Sequence, residues 1–200
     1  YSNNEIIKYL KKKKKDFKYI KNVEQILINL FKRKKVVGFF RGRMEFGYRA
    51  LCNRSILYHA KDKSVNKWLN KRLNRTEFMP FAPVTIAPLA KKCFLDWNQN
   101  DKTSKFMLSV YKCSNLLKSK APAVVHVDNT CRVQTVSSST NKYFYSLIRA
   151  FKNITGIPVL LNTSFNIKGQ PMVNNPDQAI KTFQKTNIDI LVIGNYILKK

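Results

Sequence analysis

The stretch Val36-Val-Gly-Phe-Phe-Arg-Gly-Arg-Met-Glu-Phe-Gly-Tyr-Arg-Ala-Leu-Cys-Asn-Arg-Ser-Ile56 decides how this chain is read. Its first five residues form a short apolar run with the character of a buried strand. Arg41, Arg43, Arg49 and Arg54 then follow, threaded with Gly42 and Gly47 and closed by Asn53 and Ser55. A guanidinium is planar, always charged and able to grip phosphate or carboxylate through paired donors. Glycine lets a backbone approach a ligand closely, and open α/β sheets bind ligands beyond the carboxyl ends of their strands. The stretch therefore reads as a strand feeding an anion-binding loop. A solvated surface loop is the alternative in so basic a chain, and spacing alone leaves both open.

A second transition of this kind occurs late in the chain. Ile157-Pro-Val-Leu-Leu161 reads as an apolar strand, followed by Asn162-Thr-Ser-Phe-Asn166 and Lys168-Gly169. Hydroxyls and amides at a strand's carboxyl end can hold phosphate oxygens, ribose hydroxyls or a metal-bound water; the alternative is a local Asx or Ser turn.

Between and around these stretches the patterning is that of an α/β protein. Val23, Ile26, Leu27, Leu30 and Phe31 have helical spacing. Ser64 can cap a helix whose Val65, Trp68, Leu69 and Leu73 share a face, with Lys67, Lys71, Arg72 and Arg75 elsewhere on it, ending before Pro80 and Pro83. Phe78-Met-Pro-Phe-Ala-Pro83 reads as a rigid turn before a strand. From 90 to 120 the pattern is poor, with one strand expected over Phe106 to Tyr111. Pro122 to Val127 and Cys131 to Val136 read as a hairpin turning at Asp128-Asn-Thr130. That geometry puts Arg132 and Gln134 on one strand face and makes His126 a strand residue. A helix is expected over about 141–154, stopped by Gly156. Asn175-Pro-Asp-Gln178 starts another, and a closing hairpin turns at Gly194-Asn195.

Two hundred residues, 44% of them apolar, suit one globular domain. Residues 1–20 are polar and lysine-rich and read as a linker or the tail of a preceding domain, with the domain itself over 21–200. The opening Tyr1-Ser-Asn-Asn is not a natural start, which suggests a fragment. Cys52, Cys93, Cys113 and Cys131 show no paired spacing, so buried reduced thiols, no metal site and a cytoplasmic setting are expected. The charge is extreme, with 38 Lys and Arg against 11 Asp and Glu, formally +27. Nucleic-acid binding is thus an alternative function. The excess is mostly lysine spread along the chain, densest at Lys11 to Lys15, and the aromatic residues sit at core-periodic positions rather than among the lysines. No apolar run reaches the length of a membrane span.

Gly42 to Ile56 resembles the GRMEFGPRALGNRSI signature of the carbamoyltransferase family that includes NodU and CmcH, with Tyr48 for Pro and Cys52 for Gly. Phe78 to Pro83 is similar to the family's FxPFAP segment, and Pro122 to Val136 to its AVxHVDGTARVQTV, with Asn129 for Gly and Cys131 for Ala. Asn162 to Asn166 matches NTSFN unchanged. The resemblance implies a YrdC-like fold, a twisted mixed sheet with packed helices. It also implies the C-terminal part of an O-carbamoyltransferase, binding ATP (with Mg2+) and carbamoyl phosphate and forming carbamoyl-adenylate by attack of carbamate oxygen on the α-phosphorus. Transfer to a hydroxyl would fall to an ASKHA-type N-terminal domain with a histidine-bound metal, so this part alone would not complete transfer. Such chemistry crowds negative charge, which explains the residue types. Arg43, Arg54 and Arg132 are then the candidates for the chemical step. Arg41, Arg49, Ser55, His126, Gln134, Asn162, Thr163, Ser164 and Asn166 are those for substrate and nucleotide. A degenerate, non-catalytic domain is a further alternative.

Overall fold

The computed structural model describes residues 1–13, 16–73 and 80–200. Helices and strands are interspersed along the chain, and the backbone divides into two compact units: Tyr1–Tyr58, Leu69–Glu77 and Thr163–Lys200 form the first, His59–Trp68 and Phe78–Asn162 the second.

In the first unit, α1 (Asn3–Lys12), β1 (Lys18–Tyr19), α2 (Val23–Lys32), β2 (Val37–Phe40) and β3 (Arg54–His59) come first. Strands run in the order β1, β10 (Tyr196–Lys199), β9 (Ile190–Ile193), β2, β3. The β9–β10 hairpin turns at Gly194, whose φ is 56°, as expected from Gly194-Asn195. β9 and β2 are parallel, while β2 and β3 are antiparallel, with Phe40 opposite Arg54. All four residues of β2 are buried, which explains why the run lacks a polar alternation. The helix α7 (Pro176–Lys185) starts where expected: Asn175 caps it through the amide of Gln178, with Pro176 in its first turn.

The N-terminus corrects the sequence reading. Within residues 1–20 the polar, lysine-rich sequence holds a packed helix: Ser2 and Glu5 form a capping box on α1, and Ile6 and Leu10 are buried. Asn3 Oδ1 accepts the Asn195 amide at 3.1 Å, and a Cβ on Gly194 would lie 2.6 Å from Asn3 Oδ1 and 2.7 Å from Ile6. Two apolar residues suffice because glycine at the turn lets the helix close on it. Lys13 then pairs with Asp177 of α7 at 2.8 Å. The rest of the Lys11 to Lys15 run, Lys14 and Lys15, lies outside the described residues.

In the second unit, the middle strand is β4 (Ala82–Ile86), between β8 (Leu160–Ser164), antiparallel to it, and β7 (Gln134–Val136), parallel to it. The strands β5 (Val110–Lys112) and β6 (Thr130–Arg132) form a separate antiparallel pair. The helices are α4 (Ala87–Cys93), α5 (Asn115–Lys120) and α6 (Lys142–Thr155), the last burying Phe144, Leu147, Ile148 and Phe151 and ending at left-handed Gly156. The helix α3 (Val65–Arg72) starts in this unit with buried Val65, while Leu69 and, just past the helix, Leu73 are buried residues of the first unit. Arg75, Phe78 and Met79 lie outside the described residues; Phe81, within the FxPFAP-like segment, is buried, and Ala82 and Pro83 open β4.

Four expectations fail along this part of the chain. The strand over Phe106 to Tyr111 starts only at Val110, after a 3-10 turn over Thr103–Phe106. The run Pro122 to Val127 is no strand: Pro122 opens a 3-10 turn, and β6 pairs with the distant β5 instead. The expected turn survives without the hairpin, closed by the His126 amide on the Thr130 carbonyl at 2.8 Å, with Asn129 at φ 64°. Because β6 and β7 pair in different sheets, Arg132 and Gln134 do not share one sheet face. Finally, Asn162, Thr163 and Ser164 belong to β8 rather than to a loop.

The four cysteines are free and buried, as their spacing implied. Among the described residues no helix is long and apolar enough to cross a membrane.

Candidate functional site

The turn between β2 and β3 is a closed, internally braced loop. The Arg41 amide donates to the Asn53 carbonyl at 3.0 Å, closing its base. Inside it, one oxygen of Glu45 accepts three backbone amides, from Leu51 (2.7 Å), Asn53 (2.7 Å) and Arg54 (3.1 Å). Cys52, between them, donates its amide to Ser55 Oγ at 3.2 Å and holds φ at 83°. That left-handed backbone suits the glycine of the family signature; a cysteine holds it at a cost of about 1 kcal/mol.

Arg54 is the second brace. Only 1% exposed, it lays its guanidinium 3.7 Å from the centre of the Phe40 ring. Nη1 donates to the carbonyls of Arg41 (2.9 Å) and Asn53 (3.1 Å), and Nη2 to that of Gly42 (3.1 Å). Burial lowers its pKa, and Glu45 and Tyr1 counter that shift. Three carbonyl dipoles and a ring face replace water around the charge. The fork is thus engaged by the loop's own backbone.

The remaining arginines are more accessible. Arg43 is exposed, Arg41 and Arg49 half-buried. Arg41 Nη1 lies 3.4 Å from Asn195 Oδ1, and Arg49 stands over the Tyr48 ring at 5.0 Å. Phe46 and Tyr48 project from the loop tip, fully and largely exposed. The end of β8 reaches the foot of this loop, where the Phe165 amide donates to the Arg54 carbonyl at 3.0 Å. Phe165 is buried over Gly38, whose missing Cβ would sit 3.0 Å from the ring. Next to it Ser164 Oγ donates to Asn166 Oδ1 at 2.8 Å, and Asn166 Nδ2 to the Gln170 carbonyl at 2.8 Å.

The expected site residues thus fall into two groups. Arg41, Arg43, Arg49, Arg54, Ser55, Thr163, Ser164 and Asn166 lie in the first unit; His126, Arg132, Gln134 and Asn162 lie in the second. Within the second, buried Asn162 donates to buried Gln134 at 2.8 Å, Arg132 is half-buried, and His126 Nδ1 meets Thr130 Oγ1 at 3.2 Å. Ser55 is fully buried in β3. Sequence reasoning passed over Glu45, though a single acid among four arginines was the available signal. It also passed over Asp128 and Thr130 as partners of the histidine, which Asp-x-Thr spacing could have raised.

The family described as Carbamoyltransferase C-terminus matches residues 28–200. The chain belongs to that family. It is 39% identical over 166 residues to nodulation protein NolNO of Sinorhizobium fredii, covering 82% of this chain and 24% of that protein. It is 34% identical over 161 residues to the 3'-hydroxymethylcephem-O-carbamoyltransferase of Amycolatopsis lactamdurans, covering 80% of this chain and 30% of that one. An uncharacterized protein of Methanocaldococcus jannaschii is 39% identical over 199 residues, with 38% of its length covered. The chain therefore spans well under half of these relatives. Its fold resembles part of full-length HypF in a phosphate- and nucleotide-bound form (TM-score 0.61, 15% identity, 88% of this chain and 25% of that one). It also resembles P. abyssi Sua5 complexed with L-threonine (TM-score 0.56, 12% identity, 86% of this chain and 46% of that one). The mixed α/β, YrdC-like fold class is thus the one expected.

Proposed function

We propose that this chain is the nucleotide-activating part of an O-carbamoyltransferase, binding ATP and carbamoyl phosphate and forming carbamoyl-adenylate. The observation that carries the reading is the joint between the Arg54 carbonyl and the Phe165 amide, which sets a hydroxyl-amide segment at the foot of an arginine loop. Water first cleaves carbamoyl phosphate to carbamate and inorganic phosphate; a carbamate oxygen then attacks the α-phosphorus of ATP, and pyrophosphate leaves. The side chains have little covalent work in such a step; they position the anions and neutralise charge. Arg41, Arg43 and Arg49 face the phosphates, while Thr163, Ser164 and Asn166 hold the nucleotide. Arg54 and Glu45 act through the loop they brace, as positioning residues. Mg2+ would ride on the ATP phosphates, since no group of three His, Cys, Asp or Glu able to hold a metal lies among the described residues. Transfer to a hydroxyl acceptor would belong to an N-terminal part of the kind that full-length relatives have room for.

The test is ATP binding by calorimetry, together with carbamoyl-phosphate-dependent exchange of pyrophosphate into ATP. Arg43→Ala and Arg49→Ala should each weaken ATP about tenfold, the order expected for losing a charge-assisted contact. Unchanged affinity in both variants, or salt-sensitive RNA binding with no response to ATP, would overturn the reading.

A further inference from the structure

Three of the four cysteines gather in the second unit. Strands β5 and β6 set Tyr111 opposite Cys131, and the Cys113 amide, two positions on, donates to the Asn129 carbonyl at 2.8 Å. Alternation along the strand turns Tyr111 and Cys113 to one face, so Cys113 and Cys131 are diagonal neighbours on it. Their sulfurs meet: the Cys131 thiol donates a hydrogen bond to that of Cys113. Cys93 lies close by, through the Ser114 amide on its carbonyl at 2.9 Å and the bridge from Phe94 to Cys113. Among the described residues no group of three His, Cys, Asp or Glu is placed to hold a metal ion, so the contact is one between thiols.

The two sulfurs in contact are unequal. The hydrogen bond from Cys131 and the charge of Lys118 lower the Cys113 pKa against burial and Asp128. The same bond and burial raise that of Cys131, which keeps its proton. Cys113 is thus the sulfur that ionises first, and the thiolate is the form that reacts with an oxidant. Val110 and Lys112 are exposed, so β5 is a surface strand with Tyr111 and Cys113 turned inward. It forms a sheet with β6 alone, and a two-stranded ribbon opens locally without the rest of its unit.

We propose that Cys113 and Cys131 are a peroxide-oxidised pair, closing reversibly to a disulfide while Cys93 stays a thiol. The Cys113 thiolate attacks one oxygen of hydrogen peroxide; an S–O bond forms, the O–O bond breaks, and the hydroxide released takes a proton and leaves as water. The Cys131 sulfur then attacks the sulfenic sulfur of Cys113; the S–S bond forms, the S–O bond breaks, and the departing hydroxide carries off the Cys131 proton as a second water. The two thiols together give up two electrons and the peroxide gains them. A dithiol reverses the change by exchange. The bond ties β5 to the turn in which Asp128 Oδ1 accepts from the Thr130 amide at 3.0 Å and hydroxyl at 2.7 Å. Oxidation therefore stiffens the segment that carries the partner of His126.

The experiment exposes the reduced chain to excess hydrogen peroxide without denaturant, then blocks the remaining thiols with iodoacetamide in urea and digests with trypsin for mass spectrometry. Cleavage after lysine and arginine puts the three cysteines on separate peptides, Cys93–Lys102, Cys113–Lys118 and Ala121–Arg132. Expected is a linked species of the last two, lighter than their sum by two hydrogens, from a chain that runs as a monomer on a non-reducing gel. It should vanish with dithiothreitol, and Cys93 should be alkylated as in the untreated chain. Cys131→Ala, which puts the alanine of the resembled signature in place, should abolish the link and leave a Cys113 sulfenic acid that dimedone traps. Cys113→Ala should abolish the link with no dimedone adduct at Cys131, and Cys93→Ala should leave the link as it was. A link from Cys113 to Cys93, a link between two chains, a link that forms only in urea, or a dimedone adduct at Cys131 in Cys113→Ala overturns the proposal.

Discussion

Glu45 and Arg54 brace one loop from opposite chemical sides: the Glu45 carboxylate collects backbone amides, that of Arg54 among them at 3.1 Å, while the Arg54 guanidinium collects backbone carbonyls. Each satisfies main-chain groups that the other cannot, because a carboxylate only accepts and a guanidinium only donates. The loop's shape is therefore held by two charges rather than by secondary structure.

Truncating the guanidinium tests this directly. Arg54→Ala takes the guanidinium from the Arg41 and Gly42 carbonyls, leaves the Asn53 carbonyl with the Arg41 amide alone, and leaves a hole beside Phe40, so stability should fall by about 3 kcal/mol in urea unfolding. Arg54→Lys keeps the charge and loses the fork, so the loss should be nearer 1–2 kcal/mol. If Arg54→Ala unfolds at the wild-type midpoint, the guanidinium is not a brace.

For Glu45 the cleaner readout is hydrogen exchange. Glu45→Gln keeps an oxygen for the three amides but removes its charge, and bonds to charged acceptors are roughly twice as strong. The amides of Leu51, Asn53 and Arg54 should exchange about tenfold faster, with little change in the strands. Protection left as it was would mean those amides do not depend on the carboxylate.

Gly38 sets the height at which Phe165 rests. Gly38→Ala puts a methyl 3.0 Å from a buried ring, and overpacking of this kind costs about 1–3 kcal/mol. Because Phe165 leads from β8 into Asn166, the variant should also weaken ATP, whereas a substitution at exposed Lys8 should do neither.

The helix α1 makes a prediction opposite to that of a linker. Ser2→Ala removes half of a capping box and should lower stability by about 1 kcal/mol. Deleting residues 1–13 should cost far more, by uncovering the β9–β10 turn. An unchanged melting temperature after deletion would restore the linker reading.

Acid should act through His126. Its folded-state pKa lies below the ordinary value of 6.5, so between those two values the unfolded chain binds the proton more readily. This contribution to stability is complete above pH 6.5 and is lost as pH falls through the window. Urea midpoints at about pH 7.5 and about pH 5.5 should differ less in His126→Asn than in the parent. An equal difference in both would assign the acid sensitivity elsewhere.

What could be read from residues alone followed from how local the signal was. The helices α2, α6 and α7 have apolar faces at regular spacing and caps within one turn, and they stand where that pattern put them. The strand before Arg41 and the turn at Gly194-Asn195 are likewise local. Residues 1–20 were hard to read because α1 buries just Ile6 and Leu10 fully, and its other attachments, to Asn195 and Asp177, lie far along the chain. The run at 122–127 has strand-like residues without a strand, since β6 takes a partner from 110–112. Asn162 to Ser164 look like loop because they are polar, yet pairing with β4 begins where Asn162 faces Ala82. Side-chain roles were least legible: four arginines were visible, but nothing in their spacing tells Arg54, turned inward on three carbonyls, from Arg43, which faces solvent.

The enclosed sulfur atoms give the molecule a clock of its own. Cys52, Cys93, Cys113 and Cys131 are each no more than 2% exposed, and burial pushes the Cys93 thiol up to about 12, so little reactive thiolate forms there in the native state. Alkylation of Cys93 by an iodoacetamide reagent must wait for the chain to open, and its rate reports how often that part comes apart.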